Sequence, residues 1–206
     1  MNLPNRITMG RLGLALIFFA FFKVAALASS PEWWKPAVAG ALFVLAVATD
    51  ALDGYYARKL GLQTDFGRIA DPVVDKIIVS GGFIFLAASG WAREVVPTWV
   101  VVLIISREFM VTSLRGFIEA RGVAFPARWD GKLKMVSQCV AIPAVFLWRT
   151  VDLGWPGERL LEQSALVFAV TMIWLTFALT MVSGLRYVLA AAVVLRQDSG
   201  VPPARA

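Results

Sequence analysis

Residues 50–75 read D-A-L-D-G-Y-Y-A-R-K-L-G-L-Q-T-D-F-G-R-I-A-D-P-V-V-D. Four of the aspartates, Asp50, Asp53, Asp71 and Asp75, fall at or near the ends of two otherwise apolar segments, 37–57 and 72–90. Runs of about twenty apolar residues match the roughly 30 Å of hydrocarbon in a bilayer at about 1.5 Å per helical residue. An ionised carboxylate at such a place is costly unless a cation or a metal pairs with it. The stretch therefore predicts two membrane helices joined by a short loop, with acids gathered where they meet.

Working outward, four more apolar runs lie at 10–28, 96–118, 133–150 and 164–192, separated by turn residues such as Pro31, Gly61, Gly90, Gly122, Pro126 and Gly154. The chain of 206 residues is 59% hydrophobic and only 17% charged, and its mean hydropathy is +0.71. A soluble domain carries about a quarter charged residues. The expected fold is all-α, a polytopic membrane protein with six transmembrane helices. Residues 1–195 form one transmembrane catalytic domain and 196–206 a short cytoplasmic tail. The apolar stretch from Leu12, preceded by Arg6 and Arg11, reads as the first span and not as a removable leader, because further spans follow it.

Lys and Arg distribute unequally between the two sides. With the N-terminus inside, fifteen of the twenty fall on the inner side, and inner flanks are enriched in both residues. Both termini are thus expected in the cytoplasm. Trp33, Trp34, Trp91, Trp99, Trp148 and Trp155 then sit at outer span ends, as interfacial anchors do. A net charge of +6 in so apolar a chain points to anionic lipid or an acidic substrate and not to nucleic acid.

Histidine is absent and Cys139 is the single cysteine. No disulfide within the chain, thiolate zinc site or Ser–His or Cys–His nucleophile can exist, so a general base must be a carboxylate, lysine or tyrosine. Asp50 and Asp53 are three apart and Asp71 and Asp75 four apart, spacings that put each pair on one helix face. Two such faces turned together make a pocket of four carboxylates, a hard oxygen donor set suited to Mg²⁺ or Mn²⁺. Gly54, Ala57 and Gly67 keep the surroundings small, and Arg58 supplies a cation for phosphate. Together these describe a site for a nucleotide diphosphate. Helix capping, or ion pairing with Arg58, Lys59, Arg68 and Lys76, would account for any one of the acids, but less well for four at these spacings.

The pattern D-x2-D-G-x2-A-R-x8-G-x3-D-x3-D, met here at all eight fixed positions from Asp50 to Asp75, resembles the signature of the CDP-alcohol phosphatidyltransferases. The resemblance implies a six-helix membrane fold, a homodimer, and a polar cavity open to the cytoplasm that holds one or two divalent ions, Mg²⁺ or Mn²⁺. It implies that Asp50, Asp53, Asp71 and Asp75 bind metal and that Asp75 is also the base. It places CDP against Asp50, Asp53, Gly54, Ala57, Arg58, Gly67 and Asp71.

Two further stretches bear on the acceptor alcohol. S-R-E-F-M-V-T-S-L-R runs from Ser106 to Arg115, and G-K-L-K from Gly131 to Lys134 is followed by Gln138. Arg107, Arg115, Lys132 and Lys134 would build a basic pocket for a phosphorylated alcohol, with Glu108 expected to point elsewhere. Together with the opening N-L-P-N-R-I-T-M-G-R, these stretches are similar to the branch of the family that uses glycerol 3-phosphate, with Met135 departing from the threonine of that branch. The resemblance implies CDP-diacylglycerol and glycerol 3-phosphate as substrates, membrane lipids as neighbours, and the inner (cytoplasmic) membrane as location. The last span and tail, including Ser183, Gly184 and Arg186, are less diagnostic. Inositol phosphate or serine as acceptor would keep the same chemistry. A cation transporter fits less well, because the acids gather on one side with Arg58 among them, and an inactive scaffold fits less well because every signature acid is present.

Overall fold

The computed structural model describes residues 3–27, 32–60, 65–121 and 129–198, and the side chains it describes exclude those of 3–8, 11, 26–27, 50–60, 65–72, 130 and 195–198. Six helices make up the described chain: α1 (Leu3–Leu27), α2 (Trp34–Leu60), α3 (Asp65–Ala88), α4 (Thr98–Glu119), α5 (Trp129–Gly154) and α6 (Arg159–Asp198). Among the described residues there is no strand. Each apolar run expected from the sequence falls on one helix. The helices extend further at several ends because hydropathy marks only the apolar part, whereas backbone hydrogen bonding continues through polar residues such as Asn5 and Arg6.

Breakers set the ends. Pro97, extended at φ −61° and ψ 135°, precedes α4, and its carbonyl accepts from the Val100 amide at 3.0 Å. Gly157, at φ +116°, turns the chain between α5 and α6 through a backbone region that side chains disfavour.

The helices close a ring: α1 packs on α2, α2 on α5, α5 on α6, α6 on α4, α4 on α3 and α3 on α1, while α3 also touches α2 and α5. Aromatic rings fill the middle. Phe18, Phe22, Phe43, Phe83 and Phe146 are buried, with the Phe18 ring centre 5.7 Å from Phe43 and 6.2 Å from Phe146. Outside, Leu16, Ile17, Val44, Leu45, Val102 and Phe168 are exposed, a pattern suited to lipid as solvent. Among the described residues two helices, Gly131–Gly154 and Arg159–Val194, are long and apolar enough to cross a membrane. The apolar parts of α1 and α2, Leu12–Ala25 and Trp34–Thr49, are shorter.

Tryptophans expected at the outer span ends meet in pairs: Trp33 lies 6.3 Å from Trp155 and Trp91 lies 6.2 Å from Trp148 between ring centres. Trp99 lies 5.9 Å from Trp174 of α6, a residue outside that expectation. Because Trp99 meets Trp174 while Arg115 meets Tyr187, α4 and α6 run parallel. Their aromatic contacts lie toward one end of the bundle and their cationic contacts toward the other.

Candidate active site

On α4 the helical period places Arg107 on the same inward face as Ile104, Val111 and Ile118, all buried. Its side chain is only 7% exposed there and finds partners inside. Nη2 donates to Ser183 Oγ on α6 at 2.5 Å, and Nη1 donates to Glu108 Oε1 at 3.4 Å. Lys134 of α5, also buried, donates to the same Glu108 oxygen. The expectation for Glu108 is therefore corrected: it turns back onto its neighbour. Two cations in an apolar bundle would each carry a heavy desolvation cost, and one shared carboxylate offsets part of it.

One turn beyond Val111 toward the end of α4, Arg115 donates from Nη2 to the Tyr187 hydroxyl at 2.8 Å. The Tyr187 ring centre is 5.5 Å from the Arg115 guanidinium and 5.8 Å from that of Arg107, so a single buried ring contacts both cations. Lys76 of α3 donates to Thr112 Oγ1 of α4 at 2.7 Å. Arg107, Arg115 and Lys134 are thus brought together, with Glu108 as the carboxylate bonded among them. Arg107 Nε, Arg115 Nε and Gln138 Nε2 are buried donors with no partner among the described residues. A surplus of positive charge and spare donors suits an anion with several oxygens.

Lys132 is not brought in. It is exposed, and its ammonium lies 4.8 Å from the centre of the Trp129 ring. Two residues apart on a helix differ by about 200° in direction at about 3.6 residues per turn, so Lys134 facing α4 sends Lys132 outward. Ser183, Gly184 and Tyr187 of α6 pack against these arginines, whereas the sequence marks Ser183 and Gly184 as less diagnostic and gives Tyr187 no role. The one signal available was a serine, an arginine and a tyrosine close together, S-G-L-R-Y at 183–187, in an otherwise apolar span.

Asp75 lies in a small cleft between α2, α3 and α5, lined also by Ala46, Val47, Ile78, Val79, Met135 and Cys139. Met135 and Cys139 follow Lys134 and Gln138 by one residue each. The first turns of α5 therefore present one face to the acidic cleft and the adjacent face to the cationic cluster. The side chains of Asp50, Asp53, Gly54, Ala57, Arg58, Gly67 and Asp71 lie outside the described residues. Their backbone is helical, in α2 and α3, which preserves the three- and four-residue spacings on two helices that touch. Among the described residues no group of three or more His, Cys, Asp or Glu is placed to hold a metal. The donor chemistry, carboxylate oxygen with Asp75 at the inter-helix cleft, fits a hard divalent cation.

The sequence matches the profile of the family described as CDP-alcohol phosphatidyltransferase over residues 1–182. The chain belongs to the CDP-alcohol phosphatidyltransferase family. This CDP-alcohol phosphatidyltransferase is 38% identical over 192 residues to a Bacillus subtilis (strain 168) protein named CDP-diacylglycerol–glycerol-3-phosphate 3-phosphatidyltransferase, covering 90% of this chain and 93% of the relative. Proteins with the same name from Rickettsia bellii and Pectobacterium atrosepticum are 31% and 30% identical, over 90% and 92% of this chain and 93% and 94% of theirs. The CDP-alcohol phosphatidyltransferase is thus an enzyme of this class, with relatives matched along nearly its whole length.

Proposed function

We propose that this CDP-alcohol phosphatidyltransferase transfers the phosphatidyl group of CDP-diacylglycerol to sn-glycerol 3-phosphate, giving phosphatidylglycerol phosphate and CMP. The observation that carries the acceptor assignment is the cluster of buried Arg107 and Lys134 with half-buried Arg115, beside the Asp75 cleft. A phosphorylated alcohol supplies the dianion such a cluster favours. Serine brings no phosphate and fits it less well. The names of the relatives support the same acceptor.

In this reading Arg107, Lys134 and Arg115 hold the acceptor's phosphate, while the signature residues Asp50, Asp53, Gly54, Ala57, Arg58, Gly67 and Asp71 hold the CDP end of the lipid. α5, shared by the two halves, sets the distance between them. Asp75 takes the proton of the attacking hydroxyl as its oxygen bonds to the phosphorus carrying diacylglycerol. The bridging bond of the diphosphate breaks and CMP leaves with the electron pair. Positioning supplies most of the effect. Asp50, Asp53, Asp71 and Asp75 would hold one or two divalent ions, Mg²⁺ or Mn²⁺, which when bound neutralise diphosphate charge. Lys132, exposed over Trp129, is left out of the phosphate site.

All six helices cross the inner membrane in this reading, with both termini and the site on the cytoplasmic side and two copies pairing as a homodimer. The inward excess of Lys and Arg and the grouping of tryptophans support that orientation. Purified enzyme with Mg²⁺, CDP-diacylglycerol and a panel of labelled acceptors tests the function. Turnover is expected with glycerol 3-phosphate, and turnover with serine or inositol phosphate in its place would refute the acceptor assignment.

A further inference from the structure

The acceptor cations sit on α4 and α5, yet the groups that fix the two arginines come from α6. Ser183 Oγ accepts from Arg107 and the Tyr187 hydroxyl accepts from Arg115. Ser183 and Tyr187 are four residues apart and buried, at 1% and 3% exposure, so both project from one face of α6. Between them Gly184 lets the helix backbone approach Arg107: a Cβ at position 184 would stand 2.8 Å from Arg107 Cγ and 3.2 Å from its Nε. The stem of Arg107 therefore lies along bare backbone, its head is held by Ser183, and the ring of Tyr187 faces both guanidinia. Gly131, at the start of the lysine-bearing segment of α5, lies near the same Tyr187 hydroxyl, which would be 3.8 Å from a Cβ there.

We infer that Ser183, Gly184 and Tyr187 are positioning residues that fix Arg107 and Arg115 in the arrangement that selects a phosphorylated acceptor. The inference rests on the acceptor reading above. An arginine carries about 2 kcal/mol of rotamer entropy, and a site that holds it in place before binding spares the ligand that cost. Ser183 and Tyr187 act through the arginines and need not touch the substrate. Loss of either hydroxyl is thus expected to weaken use of the acceptor and to leave the lipid substrate unaffected.

The test is steady-state kinetics on the full-length enzyme in mixed micelles with CDP-diacylglycerol, varying each substrate in turn. Tyr187→Phe keeps the ring and removes the hydroxyl. It is expected to raise KM for glycerol 3-phosphate about tenfold, the scale of one hydrogen bond to a charged group, with KM for CDP-diacylglycerol within about twofold of wild type. Ser183→Ala is expected to do the same through Arg107, independently of Tyr187. A double-mutant cycle distinguishes action through Arg115: Tyr187→Phe added to Arg115→Ala is expected to cost less than twofold more than Arg115→Ala alone. Unchanged acceptor KM in both single variants, equal changes in both substrates' KM, or full additivity in the cycle would overturn the inference. Wild-type enzyme inert toward glycerol 3-phosphate would instead overturn the acceptor reading on which it rests.

Discussion

Arg107 Nη2 lies 2.5 Å from Ser183 Oγ, a bond between residues seventy-six apart that ties α4 to α6 inside the bundle. It locates the cationic cluster in the packed interior, where a guanidinium is kept only if something needs it there. Arg107→Gln keeps some hydrogen-bonding capacity and removes the charge, and it is expected to reduce kcat/KM for glycerol 3-phosphate by roughly 10–100-fold, the worth of a charged hydrogen bond. KM for CDP-diacylglycerol, measured in the same preparation, is expected to hold.

Glu108 is bonded to both Arg107 and Lys134. Neutralising it strands two buried cations. Glu108→Gln is expected to lower stability by about 1–3 kcal/mol, read as a drop in melting temperature in detergent. Adding Lys134→Met removes one stranded charge and should restore part of that loss, since an apolar replacement of a buried pair is often tolerated. Turnover with glycerol 3-phosphate is expected to be lost in the double variant, because Lys134 no longer holds the acceptor's phosphate. Greater stability of Glu108→Gln than of wild type would contradict the shared-carboxylate account.

Phe146 touches Phe18, Phe22 and Trp91, with ring centres 5.4–6.3 Å away, and is 1% exposed. Phe146→Ala is expected to cost about 3–5 kcal/mol by leaving a cavity among rings that cannot collapse into it. Reversible unfolding in mixed micelles measures it. A cost below about 1 kcal/mol would mean that these aromatics do not form the centre of the bundle.

Much of the fold was legible because its signal is local. A run of apolar residues marks a helix wherever its neighbours are, and each of the six expected runs falls on one of the six described helices. The signature from Asp50 to Asp75 was legible for the same reason, being one contiguous stretch. The cationic pocket was only half legible. Arg107, Arg115 and Lys134 could be named from two motifs, but side-chain direction depends on which helices pack together. Hence Lys132 was grouped with Lys134, although the helical twist turns it to the surface over Trp129. Glu108 was read as facing away because the position of Lys134, twenty-six residues later, decides its rotamer. The roles of Ser183 and Tyr187 are not legible in sequence, because α6 reaches α4 only through tertiary packing.

The cleft at Asp75 bears most directly on the chemistry, since α2, α3 and α5 meet there. The deciding measurement is release of labelled CMP from CDP-diacylglycerol by the purified enzyme with glycerol 3-phosphate and Mg²⁺, set beside Asp71→Asn and Asp75→Asn. Metal-dependent release by wild type is predicted, with a fall of at least about a hundredfold in each variant, in Asp75→Asn by loss of a positioned base and in Asp71→Asn by loss of a metal-binding carboxylate. Wild-type rates in Asp75→Asn, or release that persists after chelation of divalent ions, would contradict it.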